Sequence, residues 1–486
     1  QVDTVSKLNE ELKERSLQRI AKRQTKFEED ILNATPKFRQ SFILSHVLKA
    51  TASSLDTHTS YFTPDEAAQF VINVQQRLFG IGAQLRDDLN GFTVVKIIEG
   101  GPAATGKQLK VKDRIVAIDS EPVIGMDIVD AVELIRGEQN TSVRLTVMRE
   151  VTKEDEVKGE EKKEVIVPRG EVVLKESRYE SSYEPFGDGV IGYLKLFSFY
   201  QDQGSSSAQD LAAEIKKLKE AHKLRGLILD LRFNSGGMLT QAVDVTGLFT
   251  KKGIIVSIKD DAGAIQHLRN LDGKLAWDGP LIVLVNRASA SASEIVAQTL
   301  QDYGRAIVVG DDHTYGKGSF QTFTLSSSKG GGVNPQGEYK VTRGRYYTVS
   351  GKTPQLNGVI SDVVVPGVLS EAEIGEKYAK YPLEGDKIKE NFNDDLSDVP
   401  FFQRDKVRML YKFDLQPKID TYNRFIDQLA ANSSERIKNN PNYQNFLKEI
   451  KKKHLEEEED PEQFGQNDLQ LQESYNVMKD LVLFTQ

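Results

Sequence analysis

The 486-residue sequence predicts an α+β multidomain protein: a β/α core, a smaller strand-rich domain, and helical regions at both ends. Three observations predict it. From about Tyr179 to Pro366, apolar strand-like runs alternate with helical stretches, the pattern of a largely parallel sheet covered by helices. Between 77 and 168, short strands and one amphipathic helix fall within a span typical of a small domain. Before 77 and after 366, apolar residues recur at helical spacing. These shifts place the domains at 1–76, 77–168, 169–366 and 367–486.

The N-terminal region reads as helical through Phe27, Ile31 and Leu32, then Phe38, Phe42, Ile43, Val47 and Leu48. The 56–64 stretch reads as a loop, with Thr63 as N-cap and Pro64 opening the next helix. Its His58 is read as a loop histidine bonded to backbone rather than a catalytic one. The second block carries strands at Phe92–Ile98, Asp113–Ile118 and Val143–Val147, a helix from Asp127 to Arg136 and a return strand at Glu164–Val167. Lys153–Lys163, dense in charge, reads as a solvated hairpin tip. The third block alternates Gly189–Leu194, Ala208–Ala221, Leu227–Leu231, Leu239–Phe249, Pro280–Val285 and Ser293–Leu300. Sites in such folds gather beyond the carboxyl ends of the strands, where Gly236-Gly237 and Ser291 fall. The remainder reads as charged helix, and the Lys451–Asp460 tract as an exposed helix end.

Composition narrows the function. Charges are mixed and the net charge is −8, which argues against a nucleic-acid binder with a basic face. No run approaches the roughly 20 apolar residues of a membrane span, which predicts a soluble chain. The residues from Gln1 carry no signal-peptide pattern, and the start at Gln is read as a processed or trimmed chain. There is no cysteine, which excludes disulfides and thiol chemistry. No metal-ligand motif and no phosphate-cradling glycine-lysine-serine loop stand out, so neither metal, cofactor nor nucleotide is expected.

The run Asn286-Arg287-Ala288-Ser289-Ala290-Ser291-Ala292-Ser293-Glu294 puts a serine turn directly after an apolar strand, and Tyr315-Gly316-Lys317-Gly318 follows. A hydroxyl at such a turn is well placed to attack a carbonyl, and a desolvated lysine can take its proton. Ser289, Ser291 and Ser293 are all candidates on pattern alone. Ser293, next to Glu294, resembles a helix cap, and Ser291 sits mid-turn. Gln321 is near enough in sequence to orient the amine through its carbonyl oxygen. The Asn234-Ser235-Gly236-Gly237 turn offers unhindered N–H groups for an oxyanion, and the Ala292 N–H would supply another.

These residues carry a resemblance. Phe79-Gly80-Ile81-Gly82 resembles the carboxylate-binding loop of a PDZ domain. Leu229–Gly237, Ser289–Glu294 and Gly316-Lys317-Gly318 are similar to the signatures of the carboxy-terminal processing proteases, best of all their bacterial tail-specific branch, and so are Asp302–Ala306 and the helical extension after the core. The resemblance covers essentially the whole chain. It implies a crotonase-like β/α protease core with a PDZ-like domain, and a Ser–Lys dyad with Ser291 as nucleophile, Lys317 as base and Gln321 in support. It places the oxyanion donors on Gly237 (Gly236 in the alternative register) and Ala292, and a supporting structural role on Asp302. It also implies that Phe79, Gly80, Ile81 and Gly82 bind the substrate's C-terminus, with Leu78 and Leu134 lining the groove. One departure stands out: the 310–316 segment is a residue longer than the family pattern.

The expected enzyme is an ATP-independent serine endopeptidase acting on proteins or peptides with apolar C-termini. The family places it in the bacterial periplasm or envelope, with a homo-oligomer left open. Three rivals differ in chemistry: His313 as base in a conventional triad, a crotonase-like lyase or hydratase, and a non-catalytic PDZ scaffold.

Overall fold

The computed structural model describes residues 13–14, 17, 20–21, 24–25, 28–29, 31–75, 77–88, 90–137, 140–152, 158–173, 178–202, 204–323, 336–456 and 468–485. The chain forms two compact units, one of residues 1–47 and 76–175, the other of 48–75 and 176–486. The Pro36–Ser53 helix crosses the division at 47/48.

In the first unit, one sheet runs in the order Ala83–Asp88, Gly91–Ile97, Arg114–Ile118, Ser142–Thr152, Lys158–Pro168, with the short Glu121–Pro122 strand pairing Arg114–Ile118. Inward residues such as Phe92, Val94, Ile115, Val143, Leu145 and Val165 form its core with Ala131 and Ile135 of the Ile128–Ile135 helix. Alternation of these buried positions with exposed ones is what a sheet with one covered face requires. The supposed hairpin tip is shorter than its charge suggests. Pairing continues out to Thr152↔Lys158, so Lys158–Lys163 are strand residues. A two-stranded ribbon has solvent on both faces, and charged side chains there cost nothing in burial.

The second unit holds the core. Its main sheet runs Tyr179–Phe186, Gly189–Leu196, Leu224–Asp230, Leu281–Val285, Ile307–Gly310, Val363–Val364, antiparallel in the first pair and parallel after it. Alternate residues divide between two cores. Leu227, Leu229, Leu281 and Val283 pack with the Ser207–Ala221, Leu239–Gly247 and Ala292–Asp302 helices. Ile228, Ile282, Leu284 and Val309 pack with Leu429 and Ile437 and with Tyr475–Val482 of the C-terminal helix Leu469–Phe484. Burial on both faces explains why Leu281–Val285 is an unbroken apolar run.

A second, antiparallel sheet was not evident in the sequence. It runs Ser60–Phe62, Glu338–Tyr347, Gly253–Asp260, Ile265–Asn270, with Ser319–Phe323 also pairing Glu338–Tyr347. The end regions also differ from the reading. The 56–64 stretch, read as a loop, also holds the short Ser60–Phe62 strand, and the Thr63 cap forms as expected: Glu66 N–H donates to Thr63 Oγ1 (3.4 Å) and Thr63 N–H to Glu66 Oε2 (2.9 Å). After 366 the chain is largely irregular, with one 3-10 turn at Glu376–Tyr378, and becomes helical only from Phe401. Part of the Lys451–Asp460 tract, 457–460, lies outside the described residues. None of the described helices is long and apolar enough to cross a membrane.

Candidate active site

The Leu281–Val285 strand delivers the chain to the serine turn, and hydrogen bonds sort the three serines. Ser289 Oγ donates to the Leu231 carbonyl (2.8 Å) and accepts from Asn286 N–H (3.0 Å). Ser293 Oγ donates to the Asn234 carbonyl (2.8 Å). Both are fully buried and fasten the turn to the segment after the neighbouring strand. Ser291 lies between them, partly exposed, and is itself the N-cap of the Ala292–Asp302 helix. The cap was expected at Ser293, but the backbone turns helical directly after Ser291 and leaves Ser293 inside the first turn. Ser291 also has φ 57°. A side-chain-bearing residue held at positive φ is strained, and such strain clusters at functional turns.

The glycine turn closes over this point. Phe233 N–H donates to Asn286 Oδ1 (3.0 Å) and Ala290 N–H to the Asn234 carbonyl (3.0 Å). Gly236 comes so close that a Cβ there would stand 2.8 Å from Ser291 Cβ and 3.1 Å from the Ala292 nitrogen. The two registers for the oxyanion donor differ in availability. Gly236 N–H already donates to Asn234 Oδ1 (2.9 Å), whereas Gly237 and Ala292 donate no backbone hydrogen bond among the described residues.

Lys317 is brought in by a residue the sequence reading passed over. Glu294 is fully buried, and its carboxylate accepts from Ser291 N–H (2.8 Å), Thr314 Oγ1 (2.5 Å), Gly316 N–H (2.6 Å) and Lys317 N–H (2.9 Å). One carboxylate thus ties the serine turn to the lysine loop. Burial pushes it up to about 7, against the pull of those four bonds. The spacing Ser291-x-x-Glu294, a capping-box pattern, was the available signal. Buried Tyr346 adds a second tie, its single hydroxyl proton shared between the carbonyls of Lys317 and Ser291 (3.1 Å to the latter). Gly316, at φ +95°, has Leu356 backbone about 3 Å from where a Cβ would sit, so the loop passes only without a side chain. Lys317 Nζ donates to Gln321 Oε1 at 2.8 Å. Burial, helped by the Lys340 charge and opposed by Glu376, Glu294 and Asp56, brings the amine down to about 8.

The 310–316 segment is held at its start by its two aspartates. Asp311 accepts from Gly367 N–H (2.8 Å) and Gln470 Nε2 (3.1 Å), and Asp312 pairs with Arg287. His313 Nδ1 lies 2.7 Å from the Thr314 carbonyl, and no hydrogen bond joins it to Ser291 among the described residues. Asp302 ends the helix that Ser291 caps, about 16 Å away by helical rise. It accepts from Thr348 Oγ1, and burial raises its carboxyl. His58, expected to bond backbone, instead meets Glu376 Oε2 at 2.8 Å. In the other unit, Gly82 has φ +73° and Ile81 is buried, so the loop Gly80-Ile81-Gly82 presents backbone rather than a side chain. The side chains of Leu78 and Phe79 lie outside what the structure describes. Among the described residues no three His, Asp or Glu side chains are grouped to hold a metal.

The site thus gathers a strained serine at a strand-to-helix turn, a desolvated lysine on a loop tied to that turn, and the Gly237 and Ala292 N–H groups. The chain belongs to peptidase family S41, whose model matches residues 190–365, and residues 93–149 match a PDZ domain. The carboxy-terminal-processing protease of Bartonella bacilliformis is 33% identical over 346 residues, covering 70% of this chain and 72% of the relative. The tail-specific protease of Haemophilus influenzae is 32% identical over 390 residues, 78% of this chain. This chain spans only 54% of that relative's length. The solved photosystem II D1 C-terminal processing protease is 25% identical, with 70% of this chain and 86% of that one covered and a TM-score of 0.39.

Proposed function

We propose that this protein is an ATP-independent serine endopeptidase that recognises apolar C-terminal tails and works through a Ser291–Lys317 dyad in the bacterial periplasm or envelope. The observation that carries the reading is the desolvated Lys317 amine, hydrogen-bonded to Gln321 on a loop that Glu294 ties to the Ser291 turn. In this reading neutral Lys317 takes the Ser291 proton as the oxygen attacks the peptide carbonyl. The N–H groups of Gly237 and Ala292 receive the oxyanion. Lysine then returns the proton to the departing amine, and water, activated by the same base, hydrolyses the acyl-enzyme. Asp302 supports the fold at the far end of the helix.

Tail recognition falls to the PDZ domain, where backbone N–H groups of the Phe79-Gly80-Ile81-Gly82 loop would hold the terminal carboxylate while the peptide adds as a strand. Its partners are therefore unfolded proteins or peptides with apolar ends, not nucleic acid or nucleotide. The test is cleavage of an unfolded protein with an apolar C-terminus, without ATP, by the native chain and by its Ser291→Ala and Lys317→Ala variants. Each variant should lose nearly all turnover while remaining folded, because nucleophile and base act as a unit. A folded Lys317→Ala enzyme with near-normal turnover would sink the mechanism. A C-terminally amidated substrate should be cut more slowly at the same bonds; equal rates would remove tail recognition.

A further inference from the structure

We propose that the 56–59 loop completes the base site, with Asp56 acting through Thr342 to fix the side-chain amide of Gln321 so that its carbonyl oxygen faces Lys317. Hydrogen-bond polarity dictates the orientation. Asp56 is buried and accepts from His58 N–H (2.8 Å), Thr59 N–H (3.0 Å) and Thr59 Oγ1 (2.5 Å). Burial pushes its carboxyl up, but these donors and Thr342 outweigh it and hold the group below its usual range, ionised and able only to accept. Thr342 Oγ1, 2.9 Å from Asp56 Oδ1, must therefore be the donor of that pair. Its only proton is spent there, so towards Gln321 it can only accept, and the atom 3.3 Å away must be the Nε2 amide. Ser319 Oγ takes the same amide at 3.0 Å. With Nε2 fixed on that side, Oε1 is left to Lys317 Nζ.

The same loop reaches the other flank of the lysine. His58 meets Glu376 Oε2 (2.8 Å), Glu376 Oε1 accepts from Gln355 Nε2 (3.2 Å), and Gln355 Oε1 accepts from Gly318 N–H (2.7 Å). Thr59 is anchored in turn, its Oγ1 accepting from Thr342 N–H at 3.2 Å. Residues almost 300 positions apart in sequence are thereby made one device, since Thr342 is the register partner of Gln321 and Lys340 that of Ser60. Asp56 and Thr342 touch neither substrate nor reacting atoms; they are positioning residues.

The inference rests on the Ser–Lys reading, and the experiment separates the two. Thr342→Val keeps shape and removes the relay's hydroxyl, so the Gln321 amide is free to turn its NH2 towards Lys317. Loss of that acceptor disfavours the ammonium. The charged groups that face Lys317 from the surrounding elements (Asp56, Glu294, Lys340 and Glu376) stay in place. The expected result is a kcat lower by roughly tenfold to a hundredfold with KM unchanged. The acid limb of the pH profile should move to lower pH, the melting temperature should hold within a few degrees, and Thr342→Ser should restore activity. In a Gln321→Ala background Thr342→Val should add nothing further. Thr342→Ala serves if the valine variant does not fold. Native kcat and pH profile in the folded Thr342 variant, or effects that simply multiply with Gln321→Ala, overturn the inference. Those outcomes beside an inactive Lys317→Ala leave the dyad standing; an active Lys317→Ala removes the dyad itself.

Discussion

An ordinary lysine amine titrates near 10.4 and is almost wholly protonated at neutral pH. Burial brings Lys317 down to about 8, close to where an amine can both lose its proton and still accept one. The sign of the pH dependence follows. Below that value Lys317 is an ammonium and cannot take the Ser291 proton, and above it the amine is free. Activity should rise with pH through about 8, and kcat/KM measured from pH 6 to 10 reads the group in the free enzyme. A limb near 10.4 would say that the lysine is not desolvated. Glu294 is the counterpart at this scale. It sits one helical turn from Ser291, and its carboxylate holds the backbone N–H of Ser291, Gly316 and Lys317 together with the Thr314 hydroxyl, fixing the backbone of the two proposed dyad residues.

At the scale of elements, the turn after the Leu224–Asp230 strand shows how little room the site leaves. Gly237 has φ +144°, and a Cβ there would lie 2.2 Å from the Phe199 carbonyl oxygen. Gly237→Ala must therefore shift the turn and carry its free N–H away from Ser291. Losing one oxyanion donor costs on the order of 10²–10³ in kcat. That is the expected loss, with KM little changed and the fold checked by circular dichroism; native kcat in the folded variant would remove Gly237 from the oxyanion role. What the sequence made legible follows the same local logic. The serine turn, the glycine turn and the glycine-flanked lysine could be read because each is a short motif after a strongly apolar strand. The second sheet could not. Its Glu338–Tyr347 strand mixes charged and aromatic residues and its Ser319–Phe323 strand polar and aromatic ones, and their register, which puts Thr342 against Gln321, depends on pairing between distant segments. Asp56 was hidden for that reason, and so was the partner of His58.

For the whole molecule, the decisive feature is that both faces of the main sheet are covered, one of them by the last helix of the chain. Leu469–Phe484 places Val477, Met478, Leu481 and Val482 against Ile228, Ile282 and Leu284, all essentially shielded from solvent. The fit is close, since a Cβ at Gly226 would stand 2.5 Å from Met478 sulfur. The helix is also locked at its start. Asp468 caps it through Leu471 N–H (2.9 Å) and pairs with Arg232, which in turn pairs with Asp230 at the end of the central strand. A C-terminal helix that looks like an appendage in sequence is thus a wall of the core that carries the site. Each such aliphatic side chain stabilises the fold by roughly 1.5–3 kcal/mol when buried. Four of them together rival the about 5–15 kcal/mol net stability of a typical domain. Removing residues 468–486 should therefore abolish cooperative folding of the second unit along with activity, even though Ser291, Lys317 and Gln321 all remain. Thermal melts followed by near-ultraviolet circular dichroism would check it. A truncated chain that still melts cooperatively within a few degrees of the full one would show that the Ile426–Asn439 helix covers that face by itself.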